Sequence, residues 1–344
     1  MDSHQNAQFK EALQYIPLPD GTVKCSLCNH RCHIKDTSRG RCGIRRNLSG
    51  RLIAESYARV SAEAVDPIEK KPLNHFLPGT TSYSLGSIGC NFSCAHCQNW
   101  HISQPGEGDI HLKTILPEEG VNRACAHRCS SISWTYNEPT MWYEYTREMA
   151  EIARANSLGT IYVTNGYMTE EALEELSPHL NAWRIDLKAF SEDFYRTVCK
   201  AHLQPVLDTT IRAHELGLHI ETVTLIIPGL NDDIDEMKRM IRWVIDNLGP
   251  DTPMHFTRFH PDFKMTDRPA TPIRTLEKIY ELAHEMGLHY PYLGNVNGHR
   301  YEHTYCPTCG EIVIARSGYL ISTELLQGTQ CGHCNTDIAV IRKV

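Results

Sequence analysis

The sequence predicts an α/β protein: a partly open (β/α)6 barrel flanked by a cysteine-rich N-terminal segment and a C-terminal zinc-ribbon-like module. Two observations carry this. Between residues 82 and 287, short apolar runs alternate with helical stretches in six units of roughly 30 residues, the length of a βα crossover unit. The 14 cysteines fall in groups, before, inside and after that alternating region. The expected division is 1–80, 81–298 and 299–344.

The elements follow from punctuation and period. SYSLG (82–86) is the first strand, and Pro117 opens a helix after it. SISWTY (131–136) precedes a helix over 139–155, and TIYVT (160–164) precedes one capped by Thr169, with Glu170 and Glu171 in its first turn. WRIDL (183–187) is followed by helical segments up to Gly217, and HIETVTLII (219–227) by a helix that ends at Gly249. That helix sets Ile234, Met237, Ile241, Val244, Ile245 and Leu248 on one face. MHFTRF (254–259) is the sixth strand, and Thr271 and Pro272 start the last helix. Residues 66–79, DPIEKKPLNHFLPG, read as an extended linker.

Composition narrows the function. A hydrophobic fraction of 41% in 344 residues supports a sizeable core. A net charge of -7 argues against a Lys/Arg nucleic-acid face. The N-terminus is polar, without an apolar signal core, and no stretch reaches membrane-spanning length. Grouped cysteines without a secretory signal read as metal ligands in a reducing cytoplasm rather than as disulfides.

Three cysteine groups stand out. Cys306, Cys309, Cys331 and Cys334 form two C-x2-C knuckles about 21 residues apart, a zinc-ribbon spacing with a structural role expected. Cys25, Cys28, Cys32 and Cys42 make a possible closed four-thiolate site, for zinc or for an iron–sulfur cluster. Cys125, Cys129 and Cys199 are read as packing. The central group, GCNFSCAHCQNW (89–100), places Cys90, Cys94 and Cys97 at C-x3-C-x2-C, directly after the first strand. A closed cubane takes four thiolates, so three would hold three irons and leave one open, the mark of a reactive site. The rival reading is a zinc knuckle or a chance cluster. Active sites of α/β sheets lie beyond the carboxyl ends of the strands. Glu138, Asn165, Asp186, Lys188, Arg258 and His260 all fall at such ends.

The triplet resembles the signature of the radical S-adenosylmethionine (SAM) enzymes. With SWTYNEPT, YVTNGY, RIDLKAF, TLIIPGLND and YLGNVNG, nearly the whole chain looks like the branch that includes the pyruvate formate-lyase activating enzymes, closest to the AmmeMemoRadiSam-system radical SAM proteins. The resemblance implies a [4Fe–4S] cluster on Cys90, Cys94 and Cys97. It also implies reductive cleavage of SAM to a 5′-deoxyadenosyl radical, and hydrogen abstraction from a small molecule or a protein. His96 stands where the family usually has a Tyr or Phe packed on adenine. The other SAM contacts fall to Gln98, Glu138 (for the ammonium), Asn165, Asp186, Lys188 and His260; TYNEP replaces the usual Gly-Gly-Glu run. A reductant such as flavodoxin or ferredoxin is the expected partner. The alternatives are a glycyl-radical activating enzyme and a non-catalytic zinc scaffold.

Overall fold

The computed structural model describes residues 10–104 and 110–344; part of the polar N-terminus therefore lies outside the described residues. One sheet organises it. Its strands are β1 (Ala62–Pro67), β2 (Thr81–Gly86), β3 (Ser131–Trp134), β4 (Gly159–Thr164), β5 (Ala182–Asp186), β6 (His219–Ile226), β7 (Met254–Arg258) and β8 (Pro291–Gly294). They lie in sequence order across the sheet, with β2 to β8 parallel and β1 antiparallel on β2. The longer helices between parallel strands are α1 (Pro117–Ala126), α2 (Tyr143–Ala155), α3 (Glu170–Leu176), α4 (Leu203–Glu215), α5 (Ile234–Leu248) and α6 (Ile273–Glu285). Among the described residues no helix is long and apolar enough to cross a membrane.

The six expected strands are present, and the sheet adds one at each edge. β8 reads PYLG, short and bounded by Pro and Gly, so its composition signals a loop; Pro is tolerated because it is the first residue of the strand. β1 takes in Asp66 and Pro67 from the expected linker. The rest of that linker is no free spacer: Lys71, Leu73, Asn74, His75 and Phe76 are buried. Its backbone is satisfied from inside, with Asn74 N and His75 N donating to the Glu221 carboxylate at 2.9 and 2.8 Å.

Local chemistry explains the helix starts. Thr169 accepts from Ala172 N, and Asp233 accepts from Glu236 N at 2.9 Å, each satisfying an orphan donor of a first turn. α5 buries Met237, Met240, Ile241, Val244 and Leu248 at helical spacing, each contributing about 1.5–3 kcal/mol. Ile234, expected on that face, is exposed because it begins the helix beyond the edge of the packed surface. The 139–155 segment starts as a 3-10 turn, Pro139–Trp142, before α2. Thr271 does not cap α6. Its hydroxyl donates to Ile226 O at 2.6 Å and accepts from Phe259 N at 2.9 Å, joining the ends of β6 and β7.

Two peripheral modules dock on this frame. The N-terminal one holds short strands and reaches α2 through Arg45, whose guanidinium pairs with Glu144, both fully buried. The C-terminal one has a hairpin of Ile312–Ser317 and Leu320–Glu324, the strands expected there. It packs Val313, Ile314, Ile338 and Val340 on Tyr290 and Tyr292 of the β8 region. Residues 75–77 join it through the chain: Leu77 N donates to Ile341 O and Ile341 N to His75 O, both at 2.7 Å.

His75 is the hinge of this contact. One ring nitrogen meets Ala339 O at 2.8 Å, the other the Tyr292 hydroxyl at 2.6 Å, and that hydroxyl meets Thr304 Oγ1 at 2.8 Å. Tyr292→Phe keeps the ring and removes this bridge, leaving buried polar atoms unpaired. Urea unfolding should show a loss of about 1–3 kcal/mol; an unchanged midpoint would refute the role of the hydroxyl.

Candidate active site

The loop after β2 is held on every side before any ligand is considered. Gly89 has φ +82°, and a Cβ there would lie 2.8 Å from Cys42 O, so only Gly fits. Asn137 accepts from Ser87 N and donates to Gly89 O, both at 2.9 Å. Ser93 N and Ala95 N donate to Cys199 O and Val198 O at 3.0 and 3.1 Å, and Lys264 N donates to Ala95 O at 3.2 Å. Asn165 Nδ2 donates to Asn91 Oδ1 at 2.7 Å. Cys199, read as a packing residue, is buried with its thiol beside Cys94.

Cys90, Cys94 and Cys97 open onto a cavity of about 420 Å³ at the carboxyl ends of the strands. His96, Gln98, Glu138, Asn165, Asp186 and Lys188 line it too. His260 does not line it; it is exposed, 3.5 Å from the Gln98 side-chain nitrogen. Arg258, the other residue noted at the end of that strand, donates to Thr271 O instead.

The charged groups sort by environment. Asp186 pairs with Lys188 at 3.1 Å and also with Arg184, which sequence reasoning missed. Burial alone would raise the Asp186 carboxyl, but Arg184 and Lys188 overcome it and hold it below its ordinary range. His96 is pushed down to about 3 by burial, with Lys188 adding to it, so its ring is neutral at pH 7. Its Nδ1 is buried and without a partner.

Glu138, expected at the rim, lines the cavity and is also held by neighbours. Oε1 accepts from Thr140 N (3.0 Å), Thr140 Oγ1 (2.6 Å) and Thr164 Oγ1 (2.6 Å), and Oε2 from Asn165 N (2.7 Å). A carboxylate has about four lone-pair sites, so Oε1 is saturated while Oε2 takes a single donor. Burial raises its carboxyl and these bonds oppose that. The cause is Thr164 and Asn165 at the end of β4, which the local TYNEP sequence does not reveal. The strain sits next door: Tyr136 has φ +73°, unusual for a bulky residue and frequent at working sites.

The residues present fit a cluster. Cys90 Sγ receives Phe92 N at 3.4 Å and faces Asn165 Nδ2 at 3.8 Å, donors that suit a thiolate. The orphaned Nδ1 of His96 marks a place for a further polar group. The C-terminal quartet has a tighter geometry. Cys306 and Cys334 sulfurs lie 3.5 Å apart and Cys309 and Cys331 sulfurs 3.8 Å, all four within 4.8 Å. Four thiolates about 2.3 Å from one tetrahedral ion would lie about 3.8 Å from one another.

Glu138→Gln places an amide donor against either Asn165 N–H or the two Thr donors. Thermal or urea unfolding should show a loss of about 1.5–3 kcal/mol, the worth of hydrogen bonds to a charged group. Retained stability would mean that the four-donor clamp is unimportant.

A family model described as the Radical SAM superfamily matches residues 85–244. The chain is 45% identical over 337 residues to the uncharacterized protein MJ0808 of Methanocaldococcus jannaschii, covering 97% of this chain and 100% of that protein. It is 24% identical over 284 residues to the uncharacterized protein MJ0674 of the same organism, covering 77% and 75%. A radical SAM methyltransferase from Sphaerobacter thermophilus is similar in structure, with a TM-score of 0.50 at 13% identity, over 83% of this chain and 77% of that one. At that identity the likeness concerns the fold alone. Three thiols on a clamped loop at the mouth of a parallel sheet agree with the matched family, and the chain belongs to the radical SAM superfamily.

Proposed function

We propose that the chain is an enzyme of the AmmeMemoRadiSam type that cleaves SAM reductively and abstracts hydrogen from a small molecule or a protein. The observation that carries this is the placement of Cys90, Cys94 and Cys97 on the wall of the cavity at the strand ends. These thiolates would hold three irons of a [4Fe–4S] cluster and leave the fourth to SAM. When bound, the cluster supplies the electron that splits SAM into methionine and a 5′-deoxyadenosyl radical.

The protein's part is to hold and shield. Lys188 keeps donors free beyond its contact with Asp186 and offers a point charge to the SAM carboxylate. The neutral ring of His96 offers a flat face for adenine, and Gln98 lines the cavity with it, His260 standing outside against Gln98. Asn165 and Asp186 face the ribose. Glu138 braces Asn165 through Oε2, which keeps a second acceptor site toward the cavity for the SAM ammonium. Gly318 and Tyr319, from the turn of the C-terminal hairpin, also line the cavity. That module supports a role in admitting substrate, and a target other than a glycyl-radical protein. Zinc is the proposed ion of its four thiols, a flavodoxin- or ferredoxin-type donor the reductant, and the cytoplasm the location.

Anaerobic reconstitution with iron and sulfide, followed by SAM and dithionite, should yield 5′-deoxyadenosine. Changing Cys90, Cys94 and Cys97 to Ala should abolish the yield; product formed by this variant at the parent rate would overturn the proposal. Metal analysis should find zinc on the chain as purified. Its removal by a chelator should unfold the C-terminal module, since structural zinc binding is folding free energy of about 10–16 kcal/mol in small modules. Circular dichroism showing an unchanged fold after zinc loss would reject the structural role.

A further inference from the structure

The N-terminal cysteines form a chamber that the SAM reaction does not use. Cys25, Cys28, Cys32 and Cys42 line one small cavity with Arg45 and Asn91. Its volume is about 10 Å³ by the measure in which one water needs about 10–15 Å³. The four come together because short strands turn the segment back on itself: Cys25 N donates to Cys32 O at 2.9 Å, and Gly43 N closes a turn on Gly40 O at 2.9 Å.

Size separates two kinds of occupant. Zinc draws four sulfurs to about 2.3 Å from one centre, and so to about 3.8 Å from one another. The C-terminal quartet has that compactness. No three of Cys25, Cys28, Cys32 and Cys42 bring their sulfurs within 4.8 Å of one another. They stand back around a space, as thiolates do around several irons bridged by sulfide.

Charge calls for an anionic occupant. Arg45 is 1% exposed. One of its terminal nitrogens meets Glu144, while Nε and Nη1 have no partner. Asn91 Nδ2 is likewise buried and unpartnered. A guanidinium with two idle donors in a dry interior is costly unless acceptors face it. Thiolates and sulfides of an anionic centre are such acceptors, and hydrogen bonds to sulfur are among the factors that set a cluster's potential.

We propose that this chamber takes a second iron–sulfur cluster, ligated by Cys25, Cys28, Cys32 and Cys42, with Arg45 and Asn91 donating to its sulfurs. It would sit against the first metal loop. Asn91 adjoins Cys90, and the Cys42 carbonyl touches Gly89. The proposal stands apart from the SAM reading, since its ligands are a separate set.

The test uses the full chain carrying Cys90→Ala, Cys94→Ala and Cys97→Ala, reconstituted anaerobically with ferrous iron and sulfide. Iron and sulfide should fall to about half of the parent value or to a smaller fixed remainder of about two irons, for a four- or two-iron cluster. A paramagnetic signal should appear on reduction with dithionite. No bound iron in this variant, or a second zinc per chain beyond that of the C-terminal quartet, would overturn the proposal. The converse variant, Cys28→Ser in the otherwise intact chain, should lose that remainder and keep the signal of the triplet's cluster. Iron content equal to the parent's would count against the chamber. Finally, Arg45→Met with Glu144→Gln removes the charge pair together, so no lone charge stays buried. It should keep its iron and show a lower midpoint potential, and an unchanged potential would overturn the part assigned to Arg45. Loss of SAM cleavage with chamber iron retained would speak only to the triplet, so failures of the two proposals are distinguishable.

Discussion

A loop that presents three thiols must be stiff before a metal arrives, and here the Asn137 side chain supplies the decisive constraint. It bonds Ser87 N on one side of the turn and Gly89 O on the other, so the end of β2 and the start of the cysteine loop cannot move independently. Asn137 is in turn fixed because it follows Tyr136, held in a left-handed conformation with its hydroxyl on Asp66 at 2.8 Å. The strain is thus balanced by a contact to β1, the edge strand.

Most of the fold was legible because it rests on local signals. Pro117, Thr169, Gly217 and Gly249 punctuate elements where sequence chemistry places them, and β2 to β7 are apolar runs of ordinary length. β8 escaped because four residues with Pro and Gly at the ends carry no period. The segment 66–79 escaped because its charged and proline residues describe a linker, while its burial depends on Glu221 and on residues more than 200 positions away.

The site divides along the same line. The triplet, His96, Lys188 and Asp186 could be named from motif and strand end, and all line one cavity. The direction in which Glu138 points could not, because its rotamer is decided by Thr164 and Asn165 on the next strand. Arg184 was missed since an alternating strand position does not announce that it will share Asp186 with Lys188. His260 fell at a strand end as required, yet one side-chain length from the cavity wall. Strand-end position selects candidates; cross-strand hydrogen bonding decides which of them face the chemistry.

The pairing of residues 75–77 with 339–341 has a consequence for how the chain is made. Synthesis runs from the N-terminus, and the central strands pair with sequence neighbours, so the sheet can assemble while translation continues. Leu77 N, His75 O and one ring nitrogen of His75 are different: their partners lie at residues 339–341, and they wait until those residues have left the ribosome. Until then the wall beneath Tyr292 carries open polar sites, and a nascent or prematurely stopped chain would display them to chaperones and proteases. Residues 339–341 therefore close the wall beneath Tyr292, largely through backbone hydrogen bonds.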